Sequence, residues 1–266
     1  MIASLGMYDH PAQRRANDAL WSALAERLRA RGIDAPATLD RERSPEAAWR
    51  APDLLLAQCC GYPLVADEAL DLRVVAVPHY DVPDCAPGRH VSRLVVRAGE
   101  TRRDLAAFRG AVAAVNAPLS NTGANLFRDA LADIAGGAPF FSAVVTTGSH
   151  RQSALAVRAG AADIAAIDAV TYAALERYEP EALAGLATIA ITRASPNLPF
   201  VTARTTPPET LAALRAALVE VAHDPRLAAA RAALFLADIV PSGGYRYAAL
   251  LGIARDAAAR SYPVLH

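Results

Sequence analysis

The chain contains no lysine: all 27 of its basic residues are arginine. A phosphate loop of the Walker type, a Schiff-base lysine and a lysine general base each need an ε-ammonium group, so all three are excluded. Cysteine is scarce. Cys59, Cys60 and Cys85 are too few for a disulfide scaffold, and they read either as one bridge from Cys85 to the adjacent pair or as reduced, buried thiols. Net charge is missing as well, because 27 basic residues stand against 27 acidic ones. No long-range field therefore steers the chain toward nucleic acid or an anionic membrane, and any ligand must be held by local contacts. No apolar run approaches the roughly 20 residues of a membrane-spanning helix, so membrane insertion is not expected. The opening "MIASLGMYD" runs into a strand-like segment without the basic and long apolar regions of a secretory signal. Location reads as cytoplasmic if the chain begins natively there, and as periplasmic if a leader was trimmed. The HExxH, CxxC, GxSxG and GxGxxG patterns are also missing. Metal hydrolase, thiol redox, serine hydrolase and dinucleotide readings therefore lack support, and no cofactor is called for. A Cys59 or Cys60 nucleophile with His79 or His90 as base is the nucleophilic pairing that remains.

What is present is a long, apolar chain, 266 residues at 53% hydrophobic, ample for a real core. Strand-sized apolar runs alternate with amphipathic stretches, which predicts an α/β fold with a mostly parallel sheet. "ANDALWSALAERLRARG" places Leu20, Leu24 and Leu28 on one helical face, with Gly32 as the stop signal. Strands are expected at 2–8, 53–58, 72–78, 92–97, 108–116, 140–147, 162–168 and 186–192, and helices at 122–135, from His150, and at 169–177. From Pro208 to the end the chain reads as mainly helix. The rhythm divides it into two α/β lobes, residues 1–92 plus 199–266 and an inserted 93–198, with crossings at the strands 92–97 and 198–203.

Ligands of open α/β sheets sit beyond the carboxyl ends of the strands. The loops expected there are polar and aromatic: "YDHP", "QCCGYP", "LSNTGAN", "TTGSHRQS" and "IDAVTY". In "LSNTGAN" the first helical turn offers backbone N–H groups without intrahelical acceptors and a partial positive charge. Ser120 and Thr122 add hydroxyls and Gly123 permits close approach, so a compact anion fits without any cation. The same residues would equally serve as helix caps. "TGSH" repeats the design, with Ser149 as a cap and His150 as an imidazole donor to an oxyanion. Asp168 closes a strand and reads either as a cap for the next helix or as a ligand contact. Tyr8 and Tyr62 would supply flat walls with phenolic donors.

Taken together and in order, "SLGMYD", "CCGYP", "LVVR", "VNAPLSNTGAN", "TGSHRQSALAVRAGAADIAAID" and "SPNLPF" resemble the substrate-binding proteins of phosphate, phosphite and phosphonate ABC transporters, the PhnD-like family. The resemblance implies a two-lobed type II periplasmic-binding-protein fold, with a hinge between lobes and a small oxyanion trapped in the cleft. It implies an oxyanion cradle of Ser120, Asn121 and Thr122 with His150, a facing wall of Tyr8 and Tyr62, and Asp168 at a position that can meet an amino group on the ligand. It also implies binding without catalysis and an ABC permease as partner. The alternatives are a leaderless enzyme or a cytosolic ligand sensor on the same scaffold.

Overall fold

The computed structural model describes residues 1–242 and 247–266. By contact the chain divides into two compact units. Unit 1 comprises Met1–Val82, Ala86–Arg89 and Pro196–Arg246, and unit 2 comprises Pro83–Cys85, His90–Ser195 and Tyr247–His266. Two of the changes of unit fall within short strands that pair with each other, β4 (Arg89–His90) and β10 (Ser195–Pro196), and a later one, between residues 246 and 247, returns the chain to unit 2. The strands expected to be crossings instead lie inside the two main sheets, because their apolar residues are needed in the two cores.

Unit 1 holds a five-stranded sheet of β1 (Ile2–Ser4), β2 (Leu54–Gln58), β3 (Leu72–Tyr80), β11 (Phe200–Ala203) and β12 (Leu236–Pro241), in the order β1-β2-β11-β3-β12. It is a mixed sheet rather than a mostly parallel one. β11 runs antiparallel to both neighbours and β12 runs antiparallel to β3. Residues 236–241, expected as helix, pair antiparallel with β3 as β12, burying Leu236 and Ile239 across an irregularity in register. Helix α1 (Arg14–Arg29) buries Leu20, Leu24 and Leu28 as their spacing predicts, and Gly32 (φ +78°) ends it in the left-handed region. α1 packs on α7 (Pro208–His223), which buries Leu211, Leu214, Leu218 and Val221. The apolar opening stops as strand at Ser4, and Gly6–Tyr8 forms a single 3-10 turn.

Unit 2 holds β5 (Ser92–Arg97), β6 (Val112–Val115), β7 (Ala143–Thr146), β8 (Ile164–Asp168) and β9 (Leu186–Ile191), in the order β7-β6-β8-β5-β9. β6, β7 and β8 are parallel, and β5 is antiparallel to β8 and β9. The period of two explains its cores. Leu94, Val96, Ala113, Ile164 and Ala166 face a cluster with Phe108, Phe127, Leu131, Phe140 and Tyr262, while Val95, Ala114, Ala165 and Ile167 face Ala154 and Val157. Full burial of each large apolar side chain contributes about 1.5–3 kcal/mol. Helices α4 (Leu126–Ala135), α5 (His150–Arg158) and α6 (Ala169–Tyr178) follow β6, β7 and β8. The strand expected over 108–116 is cut to Val112–Val115 by Gly110 (φ +78°), and Leu105–Phe108 is a 3-10 turn.

The last helix, α9 (Ala249–Ala259), joins unit 2, not the first lobe to which the sequence pattern assigned it. Ala257 and Tyr262 complete the unit 2 core. Leu250 O accepts from Asn125 Nδ2 at 3.4 Å, and His266 O accepts from the amides of Phe140 and Phe141 at 2.7 and 3.1 Å. An apolar stripe of Leu250, Ile253 and Ala257 fits any apolar surface, so the pattern alone does not say which unit it covers.

Candidate functional site

Because β6, β7 and β8 are parallel, their carboxyl ends, Val115, Thr146 and Asp168, lie along one edge of the unit 2 sheet. The loops there are tied together: Thr147 N donates to Val115 O at 2.9 Å and Gly148 N to Asn116 O at 3.0 Å. The helix starts that follow β6 and β7 are thereby brought side by side.

The first start departs from the expected α-helix. Asn121–Asn125 is a turn of π-helix, in which Asn125 N donates to Ser120 O at 2.9 Å. Ser120 is the N-cap, its Oγ accepting from Gly123 N at 3.0 Å, so the expected capping role is realised and the hydroxyl proton is still available as a donor. Asn121 Nδ2 donates to Ser195 Oγ at 2.8 Å, and Asn121 Oδ1 accepts from Asn125 Nδ2 at 3.2 Å. Ser92 Oγ donates to Thr122 O at 2.8 Å and fixes the backbone there. Gly123 is required on steric grounds, since a Cβ would lie 1.8 Å from Asn116 Oδ1. The close approach that its missing side chain permits is thus used by Asn116.

The second start is α5. Ser149 caps it, accepting from Gln152 N at 3.1 Å, after a turn that needs Gly148 at φ +88°. His150 Nε2 lies 3.0 Å from Thr122 Oγ1. On the other side of the ring, Nδ1 is 3.1 Å from Ala166 O and 3.4 Å from Asp168 N. Ala166 O can only accept from Nδ1 and Asp168 N can only donate to it, so the ring's tautomer decides which of the two Nδ1 serves and whether Nε2 donates to Thr122 Oγ1 or accepts from it. Burial holds the imidazole below its ordinary value, the Asp168 carboxylate pulling the other way. Asp168 caps α6 through Oδ1, which accepts from Val170 N and Thr171 N at 2.9 and 3.0 Å. Its Oδ2 lies 3.0 Å from Nδ1 of the fully buried His90. Burial raises the Asp168 carboxyl, but contact with His90 and the charges of His90 and His150 bring it below the usual range.

The structure thus places Ser120, Asn121, Thr122, His150 and Asp168 together at one edge of unit 2. Tyr8 and Tyr62 belong to unit 1. Tyr8 stacks edge-on against Tyr80, with ring centroids 5.4 Å apart, beside a small cavity lined by Leu5, Asn17, Gln58 and Phe200. Tyr62 directly precedes the short helix α3 (Pro63–Ala66), and its carbonyl accepts from Val65 N and Ala66 N. His90, Ser92, Asn116 and Ser195 support the unit 2 cluster without having been singled out for it. Polar residues at strand ends were the available signal, but no sequence spacing marks which of them are buried. All three cysteines are free, so the bridge is not formed. Burial pushes the Cys59 thiol well up and the Cys85 thiol to about 11, which removes the thiolate a nucleophile needs.

No curated protein sequence matches the chain. Among solved structures it is similar to PhnD1 from Prochlorococcus marinus in complex with methylphosphonate, at 14% identity and a TM-score of 0.77 over 96% of both chains. It is also similar to a binding protein component of an ABC phosphonate transporter from Pseudomonas aeruginosa, at 16% identity and a TM-score of 0.72 over 97% of this chain and 95% of that one. XAC2383 from Xanthomonas citri bound to chloride ion matches at 15% identity and a TM-score of 0.72 over 98% of both chains. These likenesses show the fold, the α/β architecture of two-lobed periplasmic binding proteins. The profile described as "ABC transporter, phosphonate, periplasmic substrate-binding protein" matches residues 51–243. With that match over most of its length, the chain belongs to the phosphonate substrate-binding protein family of ABC transporters.

Proposed function

We propose that the chain captures a small tetrahedral oxyanion of the phosphonate class at the turn formed by Ser120, Asn121 and Thr122 with His150, and delivers it to an ABC permease without chemical turnover. The observation that carries this reading is the 3.0 Å contact between Thr122 and His150, which joins two helix starts at one point. Helix starts present orphan amide donors and a partial positive charge, which suits an anion in a chain without lysine. Asn121 and Asp168 have side chains engaged with Ser195, Asn125, His90 and the α6 amides. In this reading they hold the turn and the imidazole, while the Asn121 amide, the Ser120 hydroxyl and Thr122 meet the ligand. Tyr8 and Tyr62 are proposed as further ligand contacts from unit 1.

Titration calorimetry with methylphosphonate, phosphite, phosphate and phosphate esters tests the proposal. Saturable one-to-one binding, with the ligand recovered unchanged, is expected. Thr122→Ala and His150→Ala each weaken it roughly 30-fold, the equivalent of about 2 kcal/mol for a hydrogen bond to a charged group. Tyr8→Phe and Tyr62→Phe cost less, roughly fivefold each. A folded protein that binds none of these anions overturns the proposal.

A further inference from the structure

We propose that Ser195 is a further ligand contact of the oxyanion site, its hydroxyl donating to the bound anion. The inference rests on the proposed site and adds to it a donor from β10, a strand to which no binding residue has been assigned.

The direction of the hydrogen bonds that reach Ser195 is fixed from the first turn of α4. A guanidinium can only donate, so Arg128 Nη2, at 2.6 Å, identifies the side-chain oxygen of Asn125. Asn125 Nδ2 therefore faces the other way, toward Leu250 O at 3.4 Å and Asn121 Oδ1 at 3.2 Å. Leu250 O can only accept, which gives the same orientation independently. With its oxygen turned to Asn125, Asn121 presents Nδ2 to Ser195 Oγ at 2.8 Å. An amide nitrogen is a donor only, so the serine oxygen accepts there and its own proton points elsewhere.

Among the described residues that proton meets no acceptor. Ser195 belongs to unit 2 and is 1% exposed. A buried hydroxyl that accepts one bond and donates none is an uncommon arrangement that calls for a partner from outside the chain. Its surroundings say which partner. Asn121 opens the π-turn directly after the Ser120 cap, so its bond to Ser195 places the hydroxyl beside the turn. β10 pairs with β4, whose His90 contacts Asp168 at the end of β8. The strand pair that holds Ser195 is thus tied to two of the elements that form the site, and an anion seated on the turn supplies the missing acceptor. Arg128 is engaged by Asn125 Oδ1 and Pro263 O, so its cation acts on the site only by orienting the two amides.

Titration calorimetry with methylphosphonate on Ser195→Ala, Asn121→Ala and the double variant tests the assignment. Ser195→Ala should weaken binding roughly tenfold, the loss of one hydrogen bond to a charged group. The same replacement made in Asn121→Ala, which keeps the backbone amide of the turn, should cost about tenfold again, because the ligand and not Asn121 takes the proton. A serine that served only to hold Asn121 would cost nothing further in that background. Ser195→Cys, with a thiol that donates weakly, gives a second reading where the alanine variant does not fold, and roughly fivefold weaker binding is expected of it. Affinity unchanged within about twofold in either folded variant, or a loss that vanishes in the Asn121→Ala background, overturns the inference and leaves the oxyanion site standing. Absence of methylphosphonate, phosphite and phosphate binding to the folded wild type overturns both.

Discussion

In unit 1, Gln13 Nε2 donates to Ala233 O at 2.8 Å, Gln58 Nε2 to Leu198 O at 3.3 Å and Asn197 Nδ2 to Pro78 O at 2.9 Å. Each of these buried amides reaches a backbone carbonyl far along the chain. In unit 2, Thr122 contacts His150, the His150 ring lies against the backbone of Asp168, and the Asp168 carboxylate contacts His90. These side chains link the starts of three consecutive helices. Polar groups of the first kind satisfy carbonyls that would otherwise be buried unpaired, and they contribute stability. Polar groups of the second kind fix the position of side chains at helix starts. Unit 2 also holds a bond of the first kind, from Asn125 Nδ2 to Leu250 O, and adds to it the linked helix starts.

The contrast can be broken most forcefully at Gly123. Gly123→Ala places a Cβ against Asn116 Oδ1 and should cost about 3 kcal/mol by overpacking. Adding Asn116→Ala removes the obstructing atom and should restore most of that loss, as urea unfolding of the two single variants and the double variant will show. A finer test sets one unit against the other. Gln13→Ala should lower stability by about 1–2 kcal/mol and leave methylphosphonate affinity unchanged, because neither Gln13 nor Ala233 is among the proposed ligand contacts. Ser92→Ala, which frees Thr122 O, should cost about 1 kcal/mol of stability and weaken affinity as well. Equal effects of the two variants on affinity would erase the distinction.

The smallest effect concerns pH. An unfolded histidine takes up its proton near pH 6.5, whereas folded His150 does so only at lower pH. Between those values the unfolded chain holds more protons, so stability declines as pH falls below about 6.5. Folded Asp168 likewise titrates below its unfolded value, which adds a second decline below about pH 3.9. Urea midpoints measured from pH 7.5 to 3.5 should show both stages, and His150→Gln should lose the upper one.

Elements driven by a strong period were legible in the sequence. The Leu20, Leu24, Leu28 face of α1, the alternation of β5 and β8, and helix starts at Ser149 and Asp168 all follow from local chemistry. The proximity of Thr122 and His150 was foreseeable because consecutive parallel strands deliver their helix starts to the same edge. Strand direction was not legible, since a buried apolar run such as "FVTA" reads alike in either sense, and β11 enters its sheet antiparallel. Nor was the membership of α9, which packs against α4, a helix more than a hundred residues earlier. His90 and Ser92 were invisible as supports because their value lies in being buried beside particular partners.

The π-turn at Asn121–Asn125 has a consequence for phasing. Each residue added to a helix advances it by about 100° around the axis, and the extra residue in this turn offsets the polar start from the apolar stripe of α4 by that amount. Deleting Ala124 would rewind the turn to ordinary α geometry and swing Thr122 away from the imidazole while Phe127 stayed in the core. One inserted residue therefore lets a single helix obey two incompatible azimuths, one set by the hydrocarbon interior and the other by the contact of Thr122 with the imidazole.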